Sequence, residues 1–143
     1  MIRVPPVARA AALVALVCAV ALPALAQPAA SYKNGSEFYL AYRVAFDKAT
    51  SIDELLPWVA KERREVIAKA PAEERKEGFD MMKMFDDRRG VTVVKETPSA
   101  TGAELLVEGI SAESQAKATG VITLVKEDGA WRIVRESWKG GGR

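Results

Sequence analysis

The hydrophobic period of this chain changes once, near residue 90, and that change limits the folds open to it. Before it, apolar residues recur at helical spacing; after it, they alternate or run in β-branched stretches. Residues 34–89 therefore read as helices and residues 91–139 as strands. Helices gathered at one end and strands at the other do not make the alternating units of a parallel sheet. They make an α+β domain in which the helices cover one face of an antiparallel sheet.

The local signals fill in this outline. Asn34 with Glu37 is a capping signature for a first helix, on which Phe38, Tyr42, Ala45, Phe46 and Ala49 share a face. Tyr39 and Ala41 widen that face, and Ser36, Arg43 and Asp47 form a polar stripe opposite. Ser51 with Glu54 repeats the capping signature before a short turn. Pro57 suits the first position of a second helix, running to Ala70 and stopped by Pro71. A third helix is expected over residues 72–89, ended by Gly90, with Phe79, Met81, Met82 and Phe85 as its apolar side. Met81, Met82 and Met84 read as core filler, since methionine packs irregular gaps. Four strands follow, at residues 91–97, 104–110, 117–126 and 131–138. Asp128-Gly129 is a two-residue hairpin signal, and short loops join the rest, so the strands form a meander.

The first 26 residues carry Arg3 and Arg9, no acid, an apolar run from Ala10 to Leu22, and a small-x-small ending at Ala24-Leu25-Ala26. This reads as a cleaved secretory signal at 1–26, cut between Ala26 and Gln27. A flexible leader at 27–35, a single domain at 36–139 and a disordered glycine-rich tail at 140–143 complete the layout. The expected location is periplasmic or secreted. Cys18 sits in the apolar run, where Val17 takes the place of the small residue a lipid-attachment motif wants. No comparable apolar run follows, so no membrane span is expected in the mature chain.

The net charge of +2 depends on that segment: taking Arg3 and Arg9 from the 21 basic residues leaves 19, equal to the 19 acidic ones. A balanced chain gives no reason to expect a nucleic-acid partner. The absence of histidine excludes a Ser–His–Asp triad, a Cys–His pair and His-ligated metals. The single cysteine excludes an internal disulfide. No metal site and no cofactor is expected.

Three residue sets give the chain a family likeness: Glu37-Phe38-Tyr39-Leu40-Ala41-Tyr42, the step Leu55-Leu56-Pro57-Trp58, and the final hairpin from Lys126 to Ile133. Together they resemble small exported bacterial domains of the nuclear transport factor 2-like superfamily, over about residues 34–139. The resemblance implies a cone, a curved four-stranded meander wrapped around the helices with a pocket at its open end. That superfamily holds isomerases, dehydratases and epoxide hydrolases beside many non-catalytic binding and scaffolding domains, so fold alone does not fix function. Its catalytic members place Asp, His or Tyr inside the cone. Here histidine is missing and no acid is placed inside.

Four residues are candidates for a ligand pocket: Tyr42, Trp58, Arg63 and Trp131. Tyr42 is central on the apolar face of helix one, and a buried hydroxyl needs a partner. Arg63 falls at the centre of the face set by Val59, Val66, Ile67 and Ala70, where a guanidinium is costly unless paired. Trp58 and Trp131 are core residues or pocket walls. Trp138 has opposite parity to Trp131, so the two face opposite sides unless a bulge intervenes. No catalytic residue is assigned. The leading expectation is a non-catalytic exported binding or scaffold domain, with a small apolar or anionic ligand or an envelope protein as partner. The alternatives are an isomerase- or hydrolase-type enzyme using Tyr42 and Arg63, and a structural protein forming a homodimer through its open sheet face.

Overall fold

The computed structural model describes residues 32–140. The stretch 1–26 read as a secretory signal, the expected cut between Ala26 and Gln27, most of the expected leader and the last three residues lie outside them. The elements are α1 (Gly35–Lys48), a three-ten helix (Ile52–Trp58), α2 (Lys61–Lys69), α3 (Ala72–Phe85) and strands β1 (Arg88–Pro98), β2 (Gly102–Ser111), β3 (Lys117–Glu127) and β4 (Ala130–Gly140). The sheet is an antiparallel meander in the order β1-β2-β3-β4. The fold is α+β, with helices packed on that meander.

Helix α1 is held at its start from two directions. The Asn34 side chain accepts the Glu37 N–H at 2.8 Å, which satisfies one free donor of the first turn. Glu96 reaches across from β1 and accepts the N–H groups of Gly35 and Ser36 at 2.9 and 3.0 Å. A carboxylate at this helix end also meets the positive end of the helix dipole. Gly35 suits the close approach, since a Cβ there would lie 2.8 Å from Leu124 Cδ1 and that side chain would have to shift. Phe38, Tyr39, Tyr42 and Phe46 then pack on Leu105, Val107, Ile122, Leu124 and Ile133 of the inner sheet face. Tyr32, just before the helix, packs edge-on to Phe38.

The second helix does not begin at Pro57. That residue lies inside the three-ten helix, and Glu54 accepts from Thr50 rather than capping with Ser51. Val59 and Ala60 are extended: Val59 bridges Ile133, and the Ala60 N–H donates to the Ile133 carbonyl at 2.8 Å. The chain thus covers part of the β4 edge before α2 starts, because an open strand edge leaves unpaired backbone groups. The apolar face expected for this helix is lost with the change: α2 buries no residue.

The third helix stops at Phe85, four residues before the expected end. Gly90, with φ +57°, lies instead in β1, where the register slips between Arg89 and Thr92. A glycine with positive φ serves a helix end or a bulge equally well. On α3, Phe79 is buried and Met82 packs against the core, but Met81, Met84 and Phe85 are exposed, so two of the three methionines are not core filler.

A second irregularity decides the inner face of β4. Leu124 pairs with Ile133 and Thr123 with Arg135, which leaves Val134 as the extra residue of a bulge. The parity of β4 therefore flips. Trp131 and Ile133 face the helices, and so do Glu136 and Trp138, opposite Ile122 and Gly120. Gly120 makes room for the Trp138 ring: a Cβ there would sit 2.8 Å from it.

Candidate functional site

The polar groups of the interior gather where α1 crosses β4. Tyr39 and Tyr42, three residues apart, present their hydroxyls on one side of the helix. The Tyr39 hydroxyl donates to Glu136 Oε1 at 2.8 Å, and the Tyr42 hydroxyl lies 3.4 Å from Oε2. Glu136 is half-buried as a residue, and its carboxyl is the buried end. Burial pushes that carboxyl above the usual range; the Tyr39 hydrogen bond and the charges of Arg43 and Arg63 pull it back only in part. Both tyrosines are pushed up as well, first by burial and then by the charge of Glu136.

Arg43 closes one side of this cluster. Its guanidinium grips Asp86 through two hydrogen bonds of 2.5 and 3.2 Å, with only 9% and 11% of the two side chains exposed. Burial alone would make the guanidinium easier to deprotonate; the hydrogen bonds and charge of Asp86 outweigh it and hold Arg43 above its ordinary value. The carbon of the guanidinium lies 5.3 Å from the Phe46 ring centre. Asp86 also accepts from Arg88, whose own guanidinium stands 4.8 Å from the Trp138 ring. Arg43 therefore does not belong to a polar stripe facing solvent. Asp47, in the same stripe, is exposed as expected.

The four pocket candidates fare differently. Tyr42 is buried and bound to Glu136. Trp58 is buried among aromatic rings, with centres 5.5 Å from Phe38 and 6.0 Å from Tyr42. Trp131 is buried further along β4, under Lys126 Nζ at 4.7 Å, and makes no ring contact with the other two. Arg63 is exposed on α2 rather than buried in an apolar face, because that helix begins at Lys61 and turns only Ile67 toward the core. Tyr42 and Arg63 still border one void, with Ile52, Leu55, Val59 and Ile67 around it. Its volume is about 10 Å³, room for about one water molecule. Larger hollows of about 180 and 280 Å³ lie beside Arg75 and beside Arg88; Arg43 lines the second, but neither is lined by Tyr39, Tyr42 or Glu136.

Sequence reasoning missed Glu136, Asp86 and the burial of Arg43. One signal was present: Trp131 and Trp138 are an odd number apart on one strand, and two tryptophans at that spacing face the same side only if a bulge lies between them. Placing the bulge before Glu136 turns the acid inward.

A carboxyl raised by burial above the usual range and set beside two hydroxyls can donate or accept a proton, and the arginine beside it can stabilise an anion. Here these groups are already bound to one another. Among the described residues no three acidic or cysteine side chains converge to hold a metal ion, and no helix is long and apolar enough to cross a membrane. Compared with family models, with curated proteins and with solved structures, the chain has no match in any of the three.

Proposed function

We propose that this chain is an exported, non-catalytic binding or scaffold domain that acts through its outer surfaces. One observation carries this reading: Tyr39 and Tyr42 are bound to Glu136, Arg43 is bound to Asp86, and the void that Tyr42 borders holds only about 10 Å³. A substrate pocket is normally tens of times larger, at about 300–1,000 Å³. Tyr42, Trp58 and Trp131 then serve as core residues. Export rests on the basic, then apolar, then small-residue order of residues 1–26. The resemblance to the nuclear transport factor 2-like superfamily supports a binding role, because many of its members are non-catalytic.

Methyl spectra recorded while benzene is titrated to millimolar levels test the interior. The expected result is no saturable shift at Ile52, Leu55 or Ile67. Saturable shifts there would show an interior that opens to ligands and would sink the reading. Fusing residues 1–31 to a reporter active only outside the cytoplasm tests export, and a silent reporter refutes it.

A second reading keeps one observation in its favour: Tyr42 and Arg63 border the same void, with the buried Glu136 carboxyl bound to Tyr42. It is an isomerase- or hydrolase-type enzyme in which Glu136 moves a proton and Arg63 holds an anionic substrate. Such an activity would vanish in Glu136→Gln with the melting temperature unchanged.

A further inference from the structure

The sheet face turned away from the helices has a charge pattern that the balanced total conceals. Strand pairing places Arg89 and Lys95 of β1, Lys117 of β3, and Arg135 and Lys139 of β4 on that face. By the same pairing Arg132 of β4 is a sixth cation there, and three acids share the face: Glu104 and Glu108 of the central strand β2, and Glu127 at the end of β3. Six cations against three anions make the face basic. Lys117 and Glu108 pair at 2.8 Å. Arg89, Lys95, Arg135 and Lys139 are all exposed and form no ion pair with a described residue. Between the basic edges stand Leu106 and Ile110 of β2, 40% and 42% exposed; Val94 and Val134, 53% and 43% exposed, are the extra residues where the registers of β1 and β4 slip. Natural sheets that face only water carry alternating polar residues there, so exposed Leu and Ile at the centre mark a surface used for contact.

Three occupants can be weighed against this pattern. A second copy, stacked face to face about a twofold axis along or across the strands, sets basic edge columns on basic edge columns. Like charges brought together in an interface are strongly unfavourable. An anionic bilayer suits the basic edges, but it would meet Glu104 and Glu108 at the middle of the face. The face also holds no tryptophan, since Trp131 and Trp138 both point inward. A protein surface has neither defect: it can set acids against the edges and leave apolar or cationic groups against the centre.

We infer that the outer sheet face docks an acidic protein surface, with carboxylates against Lys95, Arg135 and Lys139 and aliphatic groups against Leu106 and Ile110. The inference rests on the binding-module reading above. Four strands of ten or eleven residues present about 600 Å² at ordinary strand spacing. That falls below the roughly 800 Å² per partner of a standard stable interface, so the contact is weak, transient and sensitive to salt.

The probe is an eight-residue peptide alternating glutamate and valine, with a lysine–valine peptide as control, followed by amide shifts of the folded protein at low and high salt. Shifts should fall on residues of the outer face such as Lys95, Leu106, Thr123 and Arg135, and should disappear at high salt. Arg135→Glu with Lys139→Glu should weaken binding about tenfold or more, as steered contacts do when rim charges reverse. Lys48→Glu, on α1, should leave it unchanged. Lys95→Glu repeats the test from the other edge, should the double variant melt early. The inference is overturned if the peptide shifts nothing or maps to the helices. It is also overturned if phosphatidylglycerol vesicles bind in place of the peptide, or if sedimentation shows a dimer that Arg135→Glu dissociates. None of these outcomes touches the interior test, so the docking inference and the binding-module reading fail separately.

Discussion

Glu96 and Glu136 occupy matching places in this fold and have opposite electrostatic fates. Each lies on an outermost strand of the sheet, each points toward the helices, and each is bound by α1. Glu96 meets the first turn of the helix, where backbone N–H groups and the Ser36 hydroxyl donate to it. Burial opposes its ionisation, but these bonds outweigh burial and hold its carboxyl below the usual range. Glu136 meets the side of the helix one and two turns later. There it finds two hydroxyls and no backbone donor, and burial prevails, so its carboxyl is held above the usual range. The difference shows that what a helix offers an acid depends on position along it. Free N–H groups exist only in the first turn.

The largest expected effect comes from removing the cation nearest the raised glutamate. Arg43→Met leaves the buried Asp86 with only the longer contacts of Arg88 and should cost about 3 kcal/mol in urea denaturation, the low end for breaking a buried pair. It should also drive the Glu136 carboxyl further up, since Arg43 is one of the two cations holding it down. A loss below about 1 kcal/mol would show that the pair is solvated after all. Next in size is Glu96→Ala, which strips α1 of its acceptor at Gly35 and Ser36. A loss of about 1–3 kcal/mol is expected, with the amide protons of residues 35 and 36 exchanging faster. Retention of slow exchange there would mean that Asn34 alone caps the helix.

The two acids also predict opposite slopes with pH. Glu96 is lowered in the fold, so its contribution is complete above about pH 4.3, the ordinary glutamate value, and fades as pH falls through the lowered folded value. Glu136 is raised, so the fold holds its proton more tightly than the unfolded chain does. Its effect is most favourable below about pH 4.3 and declines as pH rises toward the raised folded value. Denaturation midpoints of Glu96→Gln against pH should lose slope on the acid side. Those of Glu136→Gln should lose slope on the other side. The same slopes in both variants would dissolve the contrast.

The smallest effect is Glu136→Gln itself at pH 8. The neutral amide replaces an acid whose charged form the site disfavours, so stability should change by no more than about 1 kcal/mol, and upward. A clear loss would mean that the tyrosines bind a carboxylate more tightly than burial opposes it.

Much of this fold was readable before any coordinates. The change of period near residue 90 sufficed for the α+β class. Asn34 marked the start of α1, and Asp128-Gly129 marked the last hairpin, where both residues adopt positive φ at 51° and 77°. These signals are local, each decided by a few residues and their backbone preferences. Arg63 was misplaced because its position depended on where a helix began, and the β4 edge moved that start from Pro57 to Lys61. Arg43 was placed on a solvent stripe because periodicity registers only polarity. It is silent about Asp86, forty-three residues away, which compensates the buried charge.

The sequence by itself determined the class, the meander, the aromatic face of α1 and the equal count of charges in residues 27–143. Those follow from period, turn chemistry and composition. The tertiary structure alone decided which acids face inward, which arginine is buried and that Arg89, Lys95, Arg135 and Lys139 share one side of the sheet. A single bulged residue, Val134, reverses the faces of everything after it on β4. That reversal brings Glu136 under the tyrosines. It also turns Arg135 and Lys139 outward, because side chains along a strand alternate and a one-residue shift exchanges the two sides.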